Sequence, residues 1–316
     1  GLPVRVASAD SAIELGADWI ELEWRQARNM AERGTKAVLV LDEIQKVARW
    51  SQTVKRLWDE DSWNDVPLLV ILSGSSSLLI GSGLSESLAG RYELLRSTHW
   101  SLSEMSEAFD YNLSDYLEFG GYPGAAILKG DEDRWREYMR DSIVESTISR
   151  DVLQMENVRK PALMRALFEL GAQYSAQELS YRKILGQLDD KGNTDTIKHY
   201  LDLLSGAGMI SGLQKFDDKP IKAKVSSPRL MVHDPALMTS MWHGKGSLLD
   251  DPDLYGHLAE TAVGAYLIAR SAIDGFDLYW WRDGYLEVDF VLRRARDITA
   301  IEVKIGRVSK SGIGAF

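Results

Sequence analysis

The distribution of apolar residues divides the chain into stretches with strand and helix periodicity. Residues 37–41 are consecutively apolar and stop at two carboxylates, which is typical of a strand buried on both faces of a parallel sheet. Apolar runs at residues 3–7 and 67–72 predict two more strands, and apolar residues spaced by three or four positions separate the three runs. The pattern therefore predicts an α/β layer in the N-terminal part of the chain.

The two carboxylates that end the central run are Asp42 and Glu43. Ligands bind at the carboxyl edge of a parallel sheet, where an Asp can reach Mg²⁺ and a Glu can orient or deprotonate a water for phosphoanhydride hydrolysis. We interpret the pair as Walker B acids, with solvated acids after a core strand as the alternative. Ser73 and Ser75 follow the next strand and either lie near a terminal phosphate or cap a helix.

The middle of the chain is predominantly helical in pattern. Residues 131–155 form one long helical stretch, and residues 161–210 contain three more helical patterns before strand-like segments at 209–216 and 229–233. Three helices followed by a basic β-loop predict a winged helix, which either binds DNA or serves as a protein-docking unit. The candidate nucleic-acid contacts are Lys198, Lys215, Lys219, Lys222, Lys224 and Arg229.

The C-terminal part predicts a helix over residues 254–270 and strands over 277–282, 285–293 and 298–304. Period-two alternation places Asp289 of the second strand, and Glu302 and Lys304 of the third, on faces that point away from the core. We expect these carboxylates and Glu260 of the helix to gather around one divalent ion, with the Lys304 amine beside it. The alternative is a solvated hairpin face.

Composition narrows the choice of function. The chain has 316 residues, no cysteine and a net charge of -10, which excludes disulfides and thiolate nucleophiles and argues against a protein that coats nucleic acid over its whole surface. Metal sites must come mainly from carboxylates, which favours Mg²⁺ or Mn²⁺. No apolar run is long enough for a membrane span, so we expect no membrane association and a cytoplasmic location.

Four motifs occur in one order: Leu-Asp-Glu-Ile-Gln at 41–45, Leu-Ser-Gly-Ser-Ser at 72–76, Leu-Ala-Gly-Arg at 88–91 and Gly-Gly-Tyr-Pro at 120–123. This set resembles the prokaryotic AAA-type ATPases that carry a C-terminal domain of unknown function. The resemblance implies ATP and Mg²⁺ as ligands, a sensor residue in the turn of Ser73 and Ser75, and Arg91 as an arginine finger or sensor. Taken alone, Arg91 is better interpreted as a charge that complements a helix dipole.

The helix and three strands of the C-terminal part resemble the restriction-endonuclease-like superfamily. That likeness implies that Glu260, Asp289 and Glu302 hold Mg²⁺ or Mn²⁺ and that Lys304 positions a water for phosphodiester cleavage.

The predicted fold is an α/β multidomain chain. It contains a partial P-loop AAA-type lobe with a parallel sheet at 1–110, a helical connector at 111–158, a winged helix at 159–235 and a partial restriction-endonuclease-like αβββ domain at 236–316. The 316 residues contain no Gly-x-x-x-x-Gly-Lys-Ser/Thr string, so we expect a piece of a longer protein, truncated at both ends.

The expected function is ATP binding and hydrolysis in the intact protein, coupled to the C-terminal modules. Oligomerisation is compatible with this function. The alternatives are a divalent-metal-dependent nuclease, or a nucleic-acid-binding or protein-docking adaptor with idle active sites.

Overall fold

The structure is a computed structural model that describes residues 1–11, 16–31, 35–74, 88–153, 158–188, 193–217, 226–243, 249 and 251–306. It divides into two compact units, Gly1–Leu95 and Arg96–Phe316. Met105 is buried in the hydrophobic core of the second unit, whereas the predicted N-terminal domain extends to residue 110.

The first unit is built on a parallel sheet, as the apolar pattern predicted. Strands β1 (Val4–Ser8), β2 (Ala37–Asp42) and β3 (Leu68–Leu72) pair in that order. Helix α1 (Ala17–Met30) connects the first two strands, and α2 (Trp50–Trp63) connects the second and third. The three strands are parallel, so they end at one edge of the sheet.

One face of this sheet packs against both helices. Ile20 and Trp24 of α1, Leu39 and Leu41 of β2, and Leu57 of α2 belong to one buried cluster. The opposite face is exposed at β1 and β3, where Val6 is 68% and Leu69 is 55% accessible. Only the central strand is therefore largely buried.

A buried carboxylate joins the two helices of the first unit. Asp61 accepts a hydrogen bond from the Trp24 indole at 2.7 Å and pairs with the Arg28 guanidinium at 2.6 Å. Because a buried charge needs a partner of opposite sign, this arrangement fixes the register of α2 against α1.

The second unit begins with a helical region. Its elements are α3 (Leu102–Phe109), α4 (Leu113–Phe119), α5 (Pro123–Ala126) and α6 (Glu132–Glu137), followed by π-helical turns over Tyr138–Glu145 and Thr147–Val152. Capping boxes start α3 at Ser101 and α4 at Asn112. Within the part of the chain that the structure describes, no helix has the length and apolar character needed to cross a membrane.

Three helices and two strands follow, in the order predicted. They are α7 (Pro161–Gln173), α8 (Tyr181–Gln187), α9 (Thr194–Gly206), β4 (Ile210–Leu213) and β5 (Arg229–Val232). The two strands are antiparallel, with Leu213 opposite Arg229. A short helix, α10 (Pro235–Thr239), begins directly after β5.

The remaining elements are α11 (Pro252–Asp274) and an antiparallel sheet of β6 (Asp277–Asp283), β7 (Leu286–Arg294) and β8 (Asp297–Ile301). The last strand ends at Ile301, three residues earlier than the predicted end at 304. Two backbone hydrogen bonds join this sheet to the chain after β4: Trp280 N donates to Gln214 O at 3.2 Å, and Phe216 N donates to Trp280 O at 2.7 Å.

The Gly-Gly-Tyr-Pro motif lies against the start of α10. Asp234 is fully buried, and its carboxylate accepts hydrogen bonds from Gly121 N and Ala236 N, each at 2.9 Å. A Cβ on Gly120 would overlap the Asp234 carboxylate, and a Cβ on Gly121 would overlap the Trp100 carbonyl oxygen. The glycine pair therefore permits a close approach of backbone to a buried side chain.

We predict that Gly121→Ala lowers the free energy of unfolding by roughly 2 kcal/mol or more, because the added methyl meets backbone that cannot rotate away. Gly130→Ala is the matched control, since a Cβ there has no atom within 4 Å. Urea unfolding of both variants measures the difference. Equal stabilities would contradict the close approach at Gly121.

Candidate functional site

The carboxyl edge of the parallel sheet brings together Asp42 and Ser73. Ser73 Oγ donates to Asp42 Oδ1 at 2.6 Å, and Ser73 N donates to the Leu41 carbonyl at 3.0 Å. Both residues lie where parallel strands stop, which is the edge at which α/β sheets bind ligands. The donor that holds this carboxylate is a neutral hydroxyl, which brings no positive charge of its own.

Glu43 adopts a left-handed backbone conformation, with φ of 55°. This conformation is uncommon for a residue other than glycine and ends the strand abruptly. Its carboxylate pairs with the Lys46 amine at 3.0 Å and accepts from the Gln45 amide at 2.9 Å. Lys46 also pairs with Asp10, and that hydrogen bond is the main cause of the raised pKa of Lys46.

Arg91 lies away from this edge. It pairs with Asp59 at 3.0 Å and lies over the Trp58 ring, 5.7 Å from its centroid. Asp59 is nine residues from the start of α2, or about 13 Å along a helix that runs back from the carboxyl edge. The structure therefore does not bring Arg91 to Asp42 within the first unit. Ser75 lies outside the described residues.

A cleft of about 700 Å³ in the second unit collects the other predicted catalytic residues. It is lined by Glu260 of α11, Asp289 of β7, and Glu302 and Lys304 after β8. In the sheet, Phe290 pairs with Ile301, so Asp289 and Glu302 come next to each other where the strands separate. Arg229 of β5 lines the same cleft.

The carboxylates of the cleft are engaged with groups of the protein itself. Asp289 Oδ2 accepts from the Val303 backbone N–H at 2.7 Å, and its Oδ1 lies 3.4 Å from the Arg229 guanidinium. Glu302 pairs with the Lys304 amine at 2.5 Å, and this hydrogen bond is the main cause of the raised pKa of Lys304. The ammonium therefore stays protonated and acts as a counter-ion.

The predicted three-carboxylate metal site is not formed. Among the residues that the structure describes, no three His, Asp or Glu side chains are placed to hold one metal ion. Asp289 is already bonded at both oxygens, and Glu302 is bonded to Lys304. The described geometry therefore does not support the expectation that Glu260, Asp289 and Glu302 gather around Mg²⁺ or Mn²⁺, since Arg229 and Lys304 lie beside Asp289 and Glu302.

The pKa of Glu260 is strongly shifted from its ordinary value. Burial, followed by the negative charge of Asp289, raises its pKa to about 7 from an ordinary value of 4.5. The positive charges of Arg229 and Lys304 act in the opposite direction but do not cancel the effect. Glu260 is therefore able to exchange a proton near neutral pH.

Arg229 corrects a second expectation. It was grouped with the basic loop as a nucleic-acid contact, but its side chain is only 3% exposed and pairs with Glu287 and Asp289. Of the other candidates, Lys198 lies over the Tyr181 ring at 5.1 Å and Lys215 over the Trp280 ring at 5.9 Å. Lys219, Lys222 and Lys224 lie outside the described residues.

Two arginines of the cleft, Arg229 and Arg282, were not predicted from the sequence to lie there. Arg282 pairs with Glu178 at 3.1 Å and with Glu287 at 2.5 Å, and Arg229 reaches the same Glu287. Strand alternation places Glu287 on the same face as Asp289, and this is the one signal for the cluster in the sequence. The partner Arg229 is 58 positions earlier, which no local pattern reveals.

Three parts of the chain match known family models. Residues 8–106 match a family model described as an AAA domain. Residues 110–248 match a domain of unknown function (DUF8612), and residues 255–313 match another (DUF4143). The matches support an AAA-type ATPase lobe followed by two uncharacterised domains, as the order of motifs in the sequence suggested.

An uncharacterized protein of Methanocaldococcus jannaschii, MJ1544, is 27% identical over 274 residues. The alignment covers 80% of this chain and 58% of that protein, so the chain matches little more than half the length of this relative. The solved structure of the Aeropyrum pernix ORC1 protein in complex with DNA is 11% identical, over 80% of this chain and 78% of its own. Its TM-score of 0.26 is too low to establish a common fold.

We predict that stability falls with pH because of Glu260. An acid whose pKa is raised on folding binds more protons in the folded state, so its contribution is lost as pH rises from about 4.5 to about 7. Glu260→Gln removes this dependence and should gain stability relative to the parent chain across that interval.

Chemical unfolding of both chains at several pH values measures the difference. Glu107→Gln changes an exposed glutamate of the same unit and serves as the control. A constant difference between the Glu260→Gln variant and the parent chain would contradict the raised pKa.

Proposed function

We propose that this chain carries the Walker B acids of an AAA-type ATPase, and that the intact protein binds and hydrolyses ATP with Mg²⁺. The observation that carries the proposal is the hydrogen bond from Ser73 to Asp42 at the carboxyl edge of the parallel sheet. The AAA-domain match over residues 8–106 supports it independently. Because the chain spans 58% of its archaeal relative, the activity is assigned to the whole protein.

In this proposal Asp42 holds Mg²⁺, which neutralises phosphate charge when bound. Ser73 orients the carboxylate through the 2.6 Å hydrogen bond. Glu43 would orient the attacking water, and for this its carboxylate has to leave Lys46 and Gln45. The 316 residues contain no Gly-x-x-x-x-Gly-Lys-Ser/Thr string, so this proposal assigns the phosphate-binding loop to another part of the intact protein.

Arg91 has no role at this edge within its own unit. A finger that acts on a neighbouring subunit of an oligomer remains a prediction, and it requires Arg91 to leave Asp59. The ion pair is partly exposed, with side chains 33% and 23% accessible. Such pairs stabilise a protein weakly, so Arg91 can leave Asp59 at a small cost in free energy.

We further propose that α7, α8, α9, β4 and β5 form a winged helix with a docking role. Three helices followed by an antiparallel pair support the assignment. The backbone hydrogen bonds of Gln214 and Phe216 with Trp280 favour docking, because they attach the wing to the C-terminal sheet. DNA binding through Lys198, Lys215 and the basic loop stays a prediction.

The C-terminal helix and three-stranded sheet support a restriction-endonuclease-like arrangement. Metal-dependent nuclease activity is not proposed, since the carboxylates that it needs are paired with cations of the protein.

We predict that Glu43→Gln in the intact protein leaves ATP binding in place and slows hydrolysis by roughly two orders of magnitude or more, because it removes the carboxylate that orients the water. Nucleotide binding by titration and phosphate release at saturating ATP measure the two effects. Glu93→Gln makes the same chemical change at an exposed residue of the first unit and should leave both unchanged.

Unchanged turnover in the Glu43→Gln variant would remove the Walker B assignment. The 316-residue chain has no phosphate-binding loop and should therefore bind ATP weakly. Tight ATP binding by this chain alone would contradict the proposal that the loop lies elsewhere in the intact protein.

A further inference from the structure

The C-terminal cleft concentrates negative charge in a partly buried place. Glu260, Glu287, Asp289 and Glu302 line it together. Asp289 is 8% exposed, so water screens its charge poorly. A group of this kind needs a cation, from solution or from the protein, because unpaired buried carboxylates are costly.

Arg229 supplies a cation from another structural element. It opens β5, outside the C-terminal sheet, and its side chain is 3% exposed. One terminal nitrogen contacts the Glu287 carboxylate, and the other lies 3.4 Å from both the Asp289 carboxylate and the Asp289 carbonyl. Its guanidinium also lies 5.3 Å from the centroid of the buried Trp280 ring.

The remaining cations of the cleft complete the pairing. Arg282 bonds Glu287 and Glu178, and Lys304 bonds Glu302. Arg229, Arg282 and Lys304 thus each lie beside a carboxylate of the cleft, so these carboxylates have counter-ions without any ion from solution.

We infer that the Arg229 guanidinium is the built-in counter-ion of this cleft and occupies the role that a divalent metal has in restriction-endonuclease-like folds. While Arg229 is paired, the cleft does not bind Mg²⁺ or Mn²⁺. A divalent ion would meet a fixed positive charge beside the Asp289 oxygen that it needs as a ligand.

Arginine suits this role better than lysine. A planar guanidinium bonds two carboxylates at once and stacks on an aromatic face, as Arg229 does between Glu287, Asp289 and Trp280. The pairing also joins β5 to β7. Arg229 therefore attaches the wing to the C-terminal sheet, in addition to the backbone hydrogen bonds with Trp280. This inference is independent of ATP hydrolysis by the first unit.

The test is Mn²⁺ binding to the full chain, followed by electron paramagnetic resonance. Arg229→Gln should gain a bound Mn²⁺ at least about tenfold more tightly than the parent chain, because the competing charge is gone and the carboxylates remain. Adding Asp289→Asn to that variant should abolish the gain. Mn²⁺ bound near Asp42 is unaffected by either change and is subtracted as common background.

Two control variants keep the test specific. Arg293→Gln removes a guanidinium from an exposed pair with Asp277 on the same sheet and should gain no Mn²⁺. Arg229→Lys keeps a positive charge in the cleft and should also gain none. Circular dichroism of each variant establishes that it is folded.

The inference is overturned if the parent chain itself binds Mn²⁺ in a way that Asp289→Asn abolishes. It is also overturned if folded Arg229→Gln gains no Mn²⁺, or if the gain survives Asp289→Asn. Should Arg229→Gln fail to fold, the comparison of the parent chain with Asp289→Asn decides alone: no Asp289-dependent Mn²⁺ binding supports the inference, and such binding overturns it.

Discussion

The pairing of Arg229 with Glu287 and Asp289 is the interaction on which the C-terminal half of the second unit depends. A guanidinium that is 3% exposed has lost its hydration and must be compensated by carboxylates, here Asp289, whose side chain is 11% exposed, and Glu287, whose side chain is 32% exposed. Burial lowers the pKa of Arg229, and Asp289 and Glu260 oppose that effect. The strand that carries Arg229 and the strand that carries its partners are consequently fixed to each other by charge as well as by packing.

A second buried carboxyl group, that of Asp234, fixes the packing around the start of α10. Burial raises the pKa of Asp234 to about 7, while hydrogen bonds from Ala236 N and Gly121 N favour its charged form. The carboxylate ends β5 and caps α10, and it holds the Gly-Gly-Tyr-Pro turn in contact with both. Burial also lowers the pKa of the adjacent His233 to about 3. Burial therefore favours the neutral forms of both Asp234 and His233. The motif that marks the family resemblance is therefore explained by close packing around Asp234, and it needs no catalytic role.

The sequence was sufficient for the local structure and for the sheet edges. Unbroken apolar runs identified β2 and β3, and strand ends placed Asp42 and Ser73 at one edge because parallel strands stop together. It was insufficient where distant residues meet: Arg229 reaches Asp289 across 60 positions, and Gly121 reaches Asp234 across 113. Periodicity predicts which face of a strand or helix a residue occupies, but it does not predict which distant residue packs against that face. For this reason an arginine at the start of an apolar strand was read as a surface cation.

The contrast between Asp42 and Asp289 shows what decides whether a well-placed carboxylate is available for chemistry. Asp42 ends β2, whereas Asp289 lies inside β7, and period-two alternation predicted the face of the sheet that Asp289 occupies. Asp42 is held by the Ser73 hydroxyl, a neutral donor that brings no positive charge of its own. Asp289 is held by a backbone N–H and by a guanidinium, and the guanidinium supplies the positive charge that a metal would bring. Strand position selects the candidates, but the charge of the hydrogen-bond donor selects among them, and that donor is visible only in the folded chain.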